Sequence, residues 1–96
     1  MLHRYGADGA KLYAQSFATI RAEADLARFD ADEELVVVRM IHAAGLVGLE
    51  RDVVFSPGMA AAARRALAGG APILCDARMV SEGITRARLP ADNRVL

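Results

Sequence analysis

The chain has 96 residues and a mass of 10.2 kDa, enough for one domain or part of one, and a chain this short buries only about two-thirds of its unfolded surface. Twelve basic residues balance twelve acidic ones at a pI near 6.7, which argues against a dedicated nucleic-acid binder with its basic footprint. With 54% hydrophobic and 25% charged residues the composition is that of a folded protein rather than a disordered tail.

The one cysteine, Cys75, cannot form an internal disulfide, so the sequence does not describe a stapled secreted scaffold. The stretch Met1 to Asp8 holds His3 and Arg4 but no apolar core of a secretory leader. No apolar run reaches the ~18 residues that cross a bilayer. The expectation is a cytoplasmic protein that engages neither membrane nor nucleic acid.

From Asp8 the pattern is helical. Tyr13, Phe17, Ile20, Ala24 and Ala27 recur at spacings of four and three, one face of a helix capped by Asp8 and ending near Phe29-Asp30. Lys11, Gln15, Arg21, Glu23 and Arg28 fall on its other faces, and Arg21 can pair with Asp25 one turn on. A second helix opens at Asp30, which forms a capping box with Glu33, while Asp32 and Glu34 add negative charge at the positive end of the dipole. Its apolar stripe is Leu35, Val38, His42, Leu46 and Leu49, and Gly45 and Gly48 mark its end. The β-branched run Val36 to Val38 has strand propensity, but the cap and the spacing favour helix.

The period then changes. Asp52 to Phe55 reads as a short buried strand, and Ser56-Pro57 as the cap and first residue of an alanine-rich helix that stops at Gly69-Gly70. Ile73 to Cys75 reads as a second strand, followed by a short helix over Ala77 to Glu82 that ends at Gly83, and by a turn over Leu89 to Asn93. The predicted fold class is therefore α/β: two N-terminal helices followed by a βαβ unit, an incomplete parallel sheet with helices on its faces, a Rossmann-like half domain. Val95-Leu96 has the character of the start of a third strand, so the sequence reads as the first half of an α/β domain.

Charge shifts along the chain, with six basic and nine acidic residues through Pro57 and six basic and three acidic after it. The six later arginines, Arg64, Arg65, Arg78, Arg86, Arg88 and Arg94, read either as solvated faces or, for a few of them, as partners of a carboxylate-rich ligand.

Motif by motif, much is excluded. There is no phosphate loop, no G-x-G-x-x-G and no H-E-x-x-H. His3, His42 and Cys75 lack metal-ligand spacing, so no metal site is predicted. Cys75, inside an apolar run, behaves as a small hydrophobe. His42 stands out because it lies on a core-facing stripe three residues after Arg39, so the two polar heads share a face. Its bland reading is a satisfied core histidine and its sharper one is a site residue. Ser16, beside the apolar face of the first helix, reads on its own as a hydroxyl bonded back to its helix.

The stretch Ser16-Phe17-Ala18-Thr19-Ile20-Arg21-Ala22-Glu23-Ala24-Asp25-Leu26, followed by Val38-Arg39-Met40-Ile41-His42-Ala43, resembles precorrin-8X methylmutase, the precorrin isomerase family of cobalamin biosynthesis. Phe55-Ser56-Pro57, Gly70 to Asp76, Met79-Val80 and Gly83-Ile84-Thr85 continue the likeness in the same order, from Tyr5 to the last residue. The resemblance implies an isomerase that moves a ring methyl from C-11 to C-12 of the tetrapyrrole precorrin-8X, or its cobalt form, to give hydrogenobyrinic acid without a cofactor. It implies that His42 matches the catalytic histidine, a proton donor or acceptor, and that Ser16 and Arg39 match substrate-binding positions. It also implies that residues 1–96 are a single partial precorrin isomerase-like domain whose C-terminal half is missing, and that the partner is a second copy or a chain supplying the rest. The alternative is an inactive truncated remnant that binds corrinoid weakly or associates with another chain through an open sheet edge. A generic nucleotide-binding fragment is disfavoured by the missing phosphate loop.

Overall fold

The computed structural model describes residues 2–96, with side chains described from residue 12 onward. The chain divides into two units, Met1–Phe55 and Ser56–Leu96, each with its own internal packing.

The first unit is a helical pair. Helix α1 spans Leu2–Glu23 and helix α2 spans Ala31–Ala44. The backbone of α1 runs through Asp8, so that residue lies inside the helix instead of capping it; its side chain and that of Lys11 lie outside the described set. The helix also stops earlier than its apolar pattern, at Glu23, because the Asp25 carboxylate turns back to accept the Ala27 N–H at 3.3 Å, a local competitor of helical bonding. Ala27 is consequently exposed, and Leu26 and Phe29 reach the core in its place.

Asp30 and Glu33 form the expected capping box, each side chain accepting the other's backbone N–H at 2.8 and 3.0 Å. The far end of α2 closes at Gly45, whose φ of 66° is left-handed and whose N–H donates to the Ile41 carbonyl at 2.8 Å. Between these ends the buried face is Val37, Val38 and Ile41, packed on Ile20 with Phe17, Ala24, Leu26, Phe29, Leu49, Val53 and Phe55 around them. The expected stripe was turned by part of a helical turn: Leu35 and Leu46 are 54% and 57% exposed. Arg21 pairs with Glu34 on α2 at 3.1 Å, and so ties the two helices together, in place of a pairing with Asp25 on its own helix.

The α/β expectation does not hold. The described residues are mostly helical and form no β-sheet, so there is neither a βαβ unit nor a parallel sheet. Leu49–Asp52 is a 3₁₀ turn, which consumes the start of the expected first strand, and Val53 to Phe55 is extended without a ladder partner. The reason is the Arg28 guanidinium, which donates to the carbonyls of Glu50 and, at 2.7 Å, Val53, satisfying by side chain what a neighbouring strand would otherwise satisfy. Arg28 also stacks on Phe29, 4.1 Å from the ring centroid. The buried Glu50 carboxylate accepts the Gly48 N–H at 2.9 Å and closes the same loop.

The second unit begins with a turn. The Met59 N–H reaches the Ser56 carbonyl at 3.1 Å across Pro57-Gly58, and Gly58 has φ 74°, the signature of a type II Pro-Gly turn. Helix α3, Met59–Ala68, therefore starts after Gly58 instead of at Ser56-Pro57, and it stops at Gly69-Gly70 as expected. Helix α4, Arg78–Glu82, ends at Gly83, and a 3₁₀ turn follows over Arg86–Arg88. Ile73 to Cys75 is not a strand of a sheet, but it makes one parallel bridge, Ile73 with Val95. Its bonds are Ile73 N–H to Arg94 C=O at 2.7 Å, Leu96 N–H to Ile73 C=O at 2.9 Å and Cys75 N–H to Leu96 C=O at 2.9 Å. Buried Asn93 holds this unit shut: its amide donates to the Leu67 and Ala71 carbonyls, both at 2.8 Å, and its carbonyl accepts the Ala91 N–H at 3.1 Å. Arg86, one of the later arginines, donates to the carbonyls of Ser81 and Ile84 at 2.6 and 3.0 Å.

Candidate active site

On α1, Ser16 and Phe17 lie three and four residues after Tyr13, and Ile20 lies four and three residues after them, so the four share the side that meets α2. On α2, burying Val38 and Ile41 places the next residue, His42, at the margin of the contact, half-buried, with Arg39 one turn earlier and exposed. The two sets converge. Ser16 Oγ lies 2.8 Å from His42 Nδ1, a bond between residues 26 apart in sequence. The imidazole also touches two aromatic rings: Tyr13 at 5.0 Å between centroids with a 42° tilt, and Phe17 at 5.0 Å edge-on at 63°. The Arg39 guanidinium lies over the Phe17 ring, 4.7 Å from its centroid.

All three residues singled out in the sequence thus fall in one neighbourhood. Among the described residues Ser16 bonds to His42 and not back to its own helix, and Arg39 and His42 both meet the ring of Phe17. Tyr13 and Phe17 are the members that motif reading missed as site residues. The signal was there in their four-residue spacing around Ser16, which puts two rings and a hydroxyl on one strip of helix.

Two concavities border this cluster. One of about 280 Å³ is lined by Ser16, Thr19, Ile20, Ile41, His42 and Gly45, among others. The other, about 650 Å³ and almost wholly apolar, lies along α2 between Leu35, Val36, Arg39, Met40 and Ala43. Among the described residues no three His, Cys, Asp or Glu side chains converge as a metal site would require, and no helix is long and apolar enough to cross a membrane. Cys75 is a free, half-buried thiol in the second unit.

The serine–histidine contact differs from that of a Ser-His-Asp triad. In hydrolase triads the serine meets Nε2 and a carboxylate holds Nδ1. Here the serine meets Nδ1, and among the described residues no carboxylate is hydrogen-bonded to the ring.

Comparison with known proteins decides what this arrangement belongs to. Residues 11–96 match the sequence model of the precorrin-8X methylmutase family. The chain belongs to that family. The precorrin-8X methylmutase of Pseudomonas aeruginosa is 63% identical over 92 residues, which cover 96% of this chain and 44% of that protein. The precorrin-8X methylmutase of a Sinorhizobium species is 58% identical over 92 residues, again 96% of this chain and 44% of the relative. The chain therefore spans less than half the length of these two precorrin-8X methylmutases.

Proposed function

We propose that the chain contributes the proton-handling part of a precorrin-8X methylmutase, an isomerase that moves the ring methyl from C-11 to C-12 and yields hydrogenobyrinic acid. The observation that supports it is His42, held by Ser16 and walled by Tyr13 and Phe17 inside a segment more than half identical to proteins of that name. In this reading the charged imidazole delivers a proton to the conjugated macrocycle and the methyl migrates over one face of the ring. The same nitrogen then takes a proton back, so that atoms and charge balance without cofactor or metal. One positioned acid contributes ~10²–10⁴-fold. Arg39, exposed beside the apolar groove of α2, suits a side-chain carboxylate of the tetrapyrrole, and Ser16 lines the smaller concavity beside His42. Residues 1–96 act as part of a single precorrin isomerase-like domain in the cytoplasm, assembled with a second copy or a further polypeptide.

The matched segment corresponds to 44% of each of the two relatives, and a second reading stands beside the first. It is a non-catalytic form that binds corrinoid weakly or associates with another chain. Conversion of precorrin-8X, followed by its visible spectrum, separates the two. The chain is assayed alone and fused to the part of the Pseudomonas aeruginosa relative beyond the matched segment, with His42→Ala in each form. Turnover by the fusion, lowered by about 10² or more in His42→Ala, supports the isomerase reading. Wild-type turnover in the His42→Ala fusion, or an inert fusion, overturns it. Turnover confined to the fusion makes the chain alone the non-catalytic form.

A further inference from the structure

An imidazole has two nitrogens, and which one holds the proton of the neutral ring is set by the hydrogen bond at the other. Here the bond at Nδ1 comes from Ser16. Hydroxyls on helices commonly give their proton to the carbonyl one turn back, and Thr19 on the same helix does so, to Gln15 at 2.9 Å. Ser16 departs from that habit. Among the described residues its hydrogen-bond partner is His42. A hydroxyl carries one proton and two lone pairs. With the carbonyl of its own helix not taking that proton, Nδ1 is the acceptor within hydrogen-bond reach of Ser16.

We propose that Ser16 is a positioning residue that donates to Nδ1 of His42, holds the neutral ring with its proton on Nε2, and makes Nε2 the nitrogen that exchanges protons with the substrate. The tautomer rests on the Ser16–His42 contact and on the helix carbonyl not taking the serine proton, and the word substrate rests on the isomerase reading above. A hydroxyl suits both charge states. When the ring is charged, both nitrogens carry protons, and the serine oxygen turns to accept from Nδ1–H. The charged ring arises when the resting form takes a proton from solvent at Nδ1; giving up its Nε2 proton leaves the Nδ1–H tautomer donating to the serine oxygen, until Nε2 takes a proton back and Nδ1 returns its own to solvent, which restores the resting form. No net proton is gained or lost. The assignment refines the substrate-binding role of Ser16, because its proton is already committed, and only its lone pairs remain for a donor on the macrocycle.

The test is spectroscopic and needs no turnover. The 96-residue chain is labelled with ¹⁵N-histidine, and long-range ¹H–¹⁵N correlations are recorded at alkaline pH, where the rings are neutral; His3, the other histidine, serves as a reference. His42 is expected to give one tautomer, with Nδ1 at the position of an unprotonated acceptor and Nε2 at that of a protonated nitrogen. Ser16→Ala is expected to shift these signals toward the averaged mixture of a free ring, and Ser16→Thr to restore the wild-type pattern. Identical ¹⁵N positions in wild type and Ser16→Ala, or a proton on Nδ1 in the wild type, overturn the proposal. Loss of the pattern in both variants does so too, since Ser16→Thr keeps the hydroxyl. In the active fusion, Ser16→Ala is expected to lower kcat about tenfold or more with KM little changed. A rise in KM alone identifies Ser16 as a substrate contact only. An inert fusion with the tautomer intact removes the isomerase reading and leaves the Ser16–His42 assignment in place.

Discussion

The guanidinium of Arg39 rests 4.7 Å from the centroid of the Phe17 ring, and that ring in turn meets His42 edge-on at 5.0 Å. One aromatic side chain thus sets the lateral position of both a cation and an imidazole. A flat guanidinium stacks on such a ring, and the compact ammonium of lysine does so less well. Arg39→Lys in the active fusion is expected to raise KM for the tetrapyrrole several-fold with a smaller change in kcat, the pattern of a lost binding contact. Steady-state kinetics check it, and a drop in kcat at constant KM would contradict it.

The core of the first unit turns on Val37 and Ile41, whose exposures are 0% and 1%. Ile41→Ala is expected to cost about 2–5 kcal/mol, the range of large-to-small changes in a packed core. Leu35→Ala, on the exposed side of the same helix, is expected to stay within about 0.5 kcal/mol. Denaturant titration followed by circular dichroism compares the two. Equal losses would mean that the buried face of α2 has been misplaced.

The capping box gives a cleaner arithmetic test. Asp30→Ala removes one of two reciprocal bonds and is expected to lower stability by about 1 kcal/mol. Because Asp30 and Glu33 serve the same helix end, the double alanine variant is expected to cost less than the two single losses combined. Additive losses would show that the two side chains act independently.

In the second unit the load falls on Asn93. Asn93→Ala takes the amide donor from the Ala71 carbonyl and leaves the Leu67 carbonyl with the Gly70 N–H alone, at an expected cost of about 1–3 kcal/mol. Asn93→Asp is expected to be worse, since a carboxylate would face two carbonyl oxygens with no proton to offer. Thermal unfolding of the two variants, compared at neutral pH, tests the order. A more stable Asp variant would rule out the donor role.

Local chemistry was readable wherever a residue type has a single job. The Asp30–Glu33 cap, the Gly45 end, the Gly69-Gly70 stop and the Gly83 stop all lie where the sequence puts them. His42, Ser16 and Arg39, named by resemblance, lie near one another around the Phe17 ring. Strands were the failure. A short apolar run cannot be told from an extended, buried connection without its pairing partner, and at Val53 the partner is the side chain of Arg28, 25 residues away. The stripe on α2 was misjudged for a related reason. Leu35 and Val38 fit a three- and four-residue spacing as well as Val37, Val38 and Ile41 do, and only the facing Ile20 and Phe17 choose between them. Arg21 shows the same thing in charges, since its cross-helix partner Glu34 is invisible to any rule of local spacing.

The Asp30 cap has one more effect, at a distance. It fixes the residue at which α2 begins to wind, and every later side chain inherits an azimuth from that origin, advancing about 100° per residue. One residue inserted between Val38 and Arg39 would keep the cap, yet swing the imidazole roughly a quarter of the way around the helix. Ser16 would then face the neighbouring Ile41, a side chain with nothing to accept its proton. The timing of a helix start thus aims the ring, as a keyway sets the angle of a cam on its shaft.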